Sequence, residues 1–149
     1  MACWRIMRWM WRGGWKLIND FIEVARLIGK FQALEMGIKV VLMKHEIAED
    51  KKNGELKETY SLRKVDELPY GVLLKRYKKI SGNKELYDKL LILKDYRNYL
   101  AHKSLLAASR MPKEMKEFVG VYSEPLDYPS LNQELDDCIK QFSKEHVKG

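Results

Sequence analysis

KELYDKLLILKDYRNYLAHKSLL, residues 84–106, decides the fold. Leu86, Leu90, Leu93, Tyr96 (or Arg97) and Leu100 recur at three- and four-residue steps, which places them on one stripe of an α-helix. The spacing predicts a helix from Lys84 to about Leu106.

Upstream, Asn19 or Asp20 can cap a second amphipathic helix. Phe21, Val24, Ala25, Ile28, Phe31 (or Gln32) and Glu35 follow at helical steps, then Leu34, Ile38, Val41 and Leu42, which predicts one long helix to about Ala48. Gly29 and Gly37 lie inside it, each costing about 1 kcal/mol against Ala. Close approach of another helix would explain them. Glu49-Asp50-Lys51-Lys52-Asn53-Gly54 reads as a solvated loop. Glu55 to Asp66 is ambiguous between an extended piece and a turn. Pro69 suits the first turn of a helix that carries Val72, Leu73, Tyr77 and Ile80 and stops at Ser81-Gly82. Pro112 sets a break, and Pro125 and Pro129 argue against helix from Val119 to Tyr128. Ser130-Leu131-Asn132-Gln133 matches a capping box. It would open a last helix burying Leu131, Leu135, Cys138, Ile139 and Phe142.

The 149 residues suit one domain over 1–149. With 46% apolar and 33% charged residues, the chain is too hydrophobic to stay disordered. A net charge of +7 favours an anionic partner. No stretch approaches the roughly 20 apolar residues of a membrane-spanning helix; Met36 to Met43 is interrupted by Lys39. Cys3 and Cys138 stand far apart without metal-like spacing, and reduced thiols in a cytosol are the simpler reading. Residues 1–15 hold all four Trp together with Arg5, Arg8 and Arg12. The arginines interrupt any signal-peptide core and no small-residue cleavage site follows. This arm reads as an amphipathic surface segment, a packing arm or the product of an upstream start codon, with Trp stacking on bases also physically open. Gly13-Gly14 is expected to break any helix begun there.

Among the three histidines, His45 and His146 read as solvated surface residues. No His, Cys or carboxylate set has metal spacing, and no glycine-rich phosphate loop is present, so neither a metal nor a nucleotide cofactor is expected. His102 has different company. Asp95, Asn98 and His102 are spaced three and four apart and share a stripe. Arg97 precedes His102 by five positions, about 140° around the axis, within reach of a long side chain or of a second copy's histidine in a symmetric dimer. Imidazole moves protons near neutral pH and guanidinium holds a phosphate bidentately. Together they suffice to cleave RNA without metal, because the ribose 2′-OH is the internal nucleophile. The same residues also suit an ordinary helix surface paired with Asp95 or a neighbouring helix.

Arg97-Asn98-Tyr99-Leu100-Ala101-His102 resembles the R-x4-6-H motif of HEPN domains, in which a polar residue follows the Arg. Leu27-Ile28-Gly29-Lys30-Phe31-Gln32-Ala33-Leu34-Glu35 is similar to the superfamily's early helix, and Leu68-Pro69-Tyr70-Gly71-Val72-Leu73-Leu74 to the helix before the motif. The likeness covers roughly Ile22 to Leu106. It implies an all-α, up-and-down bundle of four or five helices that dimerises with its two motifs facing across a shared cleft. It also implies a metal-independent endoribonuclease of the toxin–antitoxin, phage-defence or RNA-processing kind, acting on RNA in the cytoplasm and held in check by an antitoxin or neighbouring regulatory protein. Carried onto this chain, Arg97 and His102 become the catalytic pair and Asn98 its polar support; Asp95 is added from the stripe. Ser104 stands where one subgroup has a modifiable tyrosine, which speaks against that mode of silencing. The alternatives are a non-catalytic module of the same shape that binds RNA or a protein, and a structural helical subunit whose basic face has no specific partner.

Overall fold

A computed structural model of the chain describes the backbone of residues 2–60, 63–108, 112–118 and 126–147. Within these, it describes all side chains except those of 2–15, 17, 63, 64, 103–108, 113 and 116. The described residues are helical wherever they are regular: α1 (Ala2–Asn53), α2 (Arg63–Asp66), α3 (Tyr70–Ile80), α4 (Lys84–Ala108), α5 (Lys113–Phe118) and α6 (Tyr128–His146). The four longer helices form a bundle. α1 and α4 pack against each other, and each also packs on α3 and on α6. Glu35 of α1 sits beside Arg97, whereas Ile28 and Gln32 sit beside Ala101, so α1 and α4 run antiparallel. Among the described residues no helix is long and apolar enough to cross a membrane.

The α4 stripe packs as its spacing predicts: Leu86, Leu90, Leu93 and Leu100 are buried, with Tyr96 and Arg97 half-buried. Asn83 caps this helix by accepting from the Leu86 N–H at 2.9 Å. On α6, Leu131, Leu135, Cys138 and Phe142 are buried and Ile139 half-buried, again as read. On α3 Leu73 and Tyr77 are buried, but Val72 is exposed. The α1 stripe differs in register: Val24, Leu27, Phe31, Leu34 and Ile38 form the seam, while Phe21 and Ala25 are exposed. The heptad-like steps of three and four lead from Val24 to Leu27, not to Ala25.

Several expected boundaries are corrected. α1 spans 52 residues and runs straight through Gly13-Gly14. Two glycines cost about 2 kcal/mol together, but residues joining an existing helix need no new nucleus. It also absorbs Glu49 to Asn53, for these residues tolerate helix and Lys51 and Lys52 favour its last turn. The stop is Gly54 at φ +73°. The Gly54 N–H bonds the Lys51 carbonyl at 3.3 Å and the Glu55 N–H bonds the Asp50 carbonyl at 2.8 Å, a Schellman ending that needs the left-handed residue. The α6 cap is Asp127, three residues ahead of the expected Ser130. Its carboxylate accepts from the Ser130 N–H at 3.1 Å and hydroxyl at 2.8 Å, with Pro129 inside the first turn. Gln133 turns to Asp137 instead. Part of the ambiguous segment, Arg63–Asp66, is the short α2. The side chains of Cys3 and of the Trp and Arg residues of the N-terminal arm, Ser61-Leu62 and residues 119–125 lie outside the described set.

Gly37 and Gly29 separate cleanly. A Cβ on Gly37 would stand 2.9 Å from Phe142 Cε1, so this glycine is where α6 approaches α1. A Cβ on Gly29 would meet open space. Beside Gly37, Phe142 stacks with Tyr77 and His146, whose ring centroids lie 5.9 and 4.7 Å away. His146 is therefore no solvated tail residue: its Nε2 is 2.7 Å from the Tyr77 hydroxyl, tying the end of α6 to α3. His45 is exposed as read.

Candidate functional site

The face of α4 that carries Arg97, Asn98 and His102 adjoins α1. Arg97 is half-buried because Leu93 and Leu100, four before and three after it, pull this side of α4 onto the bundle. Its Nη2 donates to Glu35 Oε2 at 3.0 Å, and its guanidinium carbon lies 5.7 Å from the centre of the Tyr70 ring. Its Nη1 makes a long 3.4 Å contact to Asn98 Oδ1. A guanidinium offers five N–H donors in a planar fork. Glu35 takes the Nη2 side of that fork, and Arg97 also lines a hollow of about 80 Å³ together with Ile28, Phe31, Gln32 and Ala101.

Glu35 is only 14% exposed and serves two cations. Besides Arg97 it holds Lys39, one turn on along α1, at 3.2 Å. Lys39 is buried, and its ammonium also meets Asp66 of α2 at 2.8 Å. Burial alone would lower the Lys39 pKa; the bonds to Asp66 and Glu35 outweigh it and hold the pKa above the ordinary lysine value. Asp66, Lys39, Glu35 and Arg97 thus form an alternating row of two acids and two bases across three helices. Row and ring brace Arg97 from below. The Tyr70 hydroxyl beside them is buried with no hydrogen-bond partner among the described residues, and burial raises its pKa.

The structure brings two of the four sequence-derived residues together, Arg97 and Asn98. His102 is exposed on the next turn of α4. Asp95 is exposed and its carboxylate lies 3.8 Å from Lys94; no contact among the described residues joins it to Asn98 or His102. Sequence reasoning missed Glu35, Lys39 and Tyr70 as neighbours of Arg97. A signal for Glu35 existed: it is an acid that falls at a helical step of an otherwise apolar series, with Lys39 four residues on. Among the described residues no group of three or more His, Cys, Asp or Glu side chains is placed to hold a metal. In comparisons with known protein families, curated proteins and solved structures, nothing matches this chain.

Proposed function

We propose that this chain is a metal-independent endoribonuclease with a HEPN-like bundle, acting as a homodimer whose two Arg97–His102 sets face one cleft. The observation that carries the reading is the state of Arg97. It is anchored by Glu35 and over Tyr70 at the lining of a small hollow, with Asn98 beside it and an exposed His102 on the next turn. That is what phosphate recognition asks for, since a pre-positioned cation stabilises developing charge without reorganising. In the reaction, the ribose 2′-oxygen attacks phosphorus as an imidazole takes its proton. The P–O5′ bond breaks and the leaving oxygen gains a proton from the second copy's histidinium. The products are a 2′,3′-cyclic phosphate and a 5′-hydroxyl. Arg97 holds the phosphoryl oxygens through this exchange and Asn98 orients them. The cytosol is the compartment this reading needs, and the buried, unpaired Cys138 thiol suits a reducing one. An antitoxin or neighbouring protein that covers His102 would silence the enzyme.

The test is cleavage of a structured RNA in EDTA by wild type, Arg97→Ala and His102→Ala. Each variant should lose about 10²-fold or more in rate with helix content intact, and wild-type products should end in cyclic phosphate. One observation favours the second reading, a non-catalytic RNA-binding module: Glu35 already neutralises the guanidinium within the chain. RNA binding with no cleavage by any of the three proteins would select it.

A further inference from the structure

Among the described residues the cations are not spread evenly. On α1, α4 and α6 several are matched: Arg26 with Glu23, Lys30 with Asp136, Lys52 with Glu49, Lys89 with Glu85 and Lys140 with Asp137. α3 is different, for its eleven residues YGVLLKRYKKI hold Lys75, Arg76, Lys78 and Lys79 and no acid. All four are exposed, and none takes part in an ion pair among the described residues. The same end of the bundle presents Lys44 on α1, Lys84 at the start of α4 and Lys144 near the end of α6, likewise without ion pairs. Lysines in a last helical turn also favour the helix dipole, which accounts for Lys78 and Lys79 on their own helix. It does not account for Arg76.

Arg76 and Lys79 converge with His45 on one open hollow of about 460 Å³ between α1 and α3, floored by Leu42 and Ile80. Glu46 also lines it, and its carboxylate is taken by Lys57 at 2.7 Å. A hollow with unmatched cations on its walls and an apolar floor suits a phosphate with a base edge beneath it better than a flat lipid surface. Glu35, the anchor of Arg97, and His45 lie ten positions apart on α1, about 15 Å of helix rise. A single strand can span that distance in a few nucleotides. We propose that this hollow is a second binding surface for the phosphate backbone of single-stranded RNA, with Arg76 and Lys79 as its phosphate contacts. The choice of RNA rests on the nuclease reading, whereas binding here requires no cleavage.

The experiment is fluorescence anisotropy with a labelled single-stranded RNA of roughly 12 nucleotides, on full-length protein carrying His102→Ala so that cleavage plays no part. In that background, Arg76→Gln with Lys79→Gln should weaken binding about tenfold and lower the magnitude of the log–log salt slope by about 1.4. Lys16→Gln with Lys140→Gln removes equal charge elsewhere and should change affinity by less than about twofold. Equal loss in both doubles would show a response to net charge alone and overturn the proposal. So would unchanged RNA binding by the Arg76/Lys79 double. Loss of binding to phosphatidylserine vesicles with RNA affinity intact would assign the hollow to a membrane and overturn it as well. Loss of RNA affinity in the Arg76/Lys79 double would stand even if the wild type proved unable to cleave.

Discussion

Arg97 and Glu35 meet at 3.0 Å across the α1–α4 contact, and the same carboxylate holds Lys39 at 3.2 Å. One acid thus stabilises two cations in a mostly dehydrated place, and its removal acts on both.

Glu35→Gln keeps the shape and removes the charge. Arg97 loses its anchor and Lys39 keeps only Asp66, so stability should fall by about 2 kcal/mol, less than the 3–5 of a fully buried pair because Arg97 is 29% exposed. Urea unfolding measures this. On the proposed nuclease reading, RNA cleavage should also fall at temperatures where the variant remains folded, since an unanchored guanidinium no longer waits in place.

Arg97→Lys separates the packing role from the chemical one. An ammonium can still pair with Glu35, so the unfolding midpoint should move little. If Arg97 holds phosphate as proposed, the bidentate contact is lost, and cleavage should drop at least about tenfold. A variant that cleaves like wild type would show that charge alone suffices.

The two interior glycines of α1 should respond with opposite signs. Gly37→Ala drives a methyl to 2.9 Å from Phe142, whose ring is held by Tyr77 and His146. Destabilisation of about 1–3 kcal/mol follows from overpacking. Gly29→Ala enters open space and should stabilise by about 0.5–1 kcal/mol through helix propensity. Thermal unfolding of the two variants side by side decides it.

Tyr70→Phe removes a buried hydroxyl that has no partner among the described residues, so stability at neutral pH should stay level or rise by about 1 kcal/mol. The variant should also resist alkali better. Burial holds the Tyr70 phenol protonated in the fold beyond the ordinary tyrosine pKa, while the unfolded chain releases that proton near pH 10. Above about pH 10 the native state therefore binds more protons than the unfolded one, and stability declines as pH rises. Unfolding midpoints from pH 8 to 11 should fall less steeply for Tyr70→Phe than for wild type.

Much of the bundle was legible because packing obeys periodicity. The stripes of Leu86, Leu90, Leu93 and Leu100, and of Leu131, Leu135, Cys138 and Phe142, repeat every three or four residues and are buried. Boundaries were less legible, since helix stops are decided by hydrogen bonds that composition does not reveal. Gly13-Gly14 resembles a breaker yet continues a helix, whereas Gly54 ends one by adopting positive φ. Asp127 and Ser130 are both good caps, and only the backbone geometry chooses between them. At the candidate site, the motif from Arg97 to His102 could be found in the chain by its local spacing. Its surroundings could not, because Glu35, Lys39 and Tyr70 join Arg97 only through tertiary packing of distant segments. His146 was misread for the same reason, as its partner Tyr77 lies on another helix.

Glu35 and Gly37 stand two positions apart on α1, about 200° around its axis, so neighbouring residues clasp opposite sides of the molecule. One receives the guanidinium of α4 and the other makes room for the aromatic ring of α6. A single inserted residue between them would swing one clasp by about 100° relative to the other, and no sliding of α1 can satisfy both again. Length changes in this chain are thereby confined to stretches outside those two grips, while residues 35–37 must be inherited as an indivisible spacer.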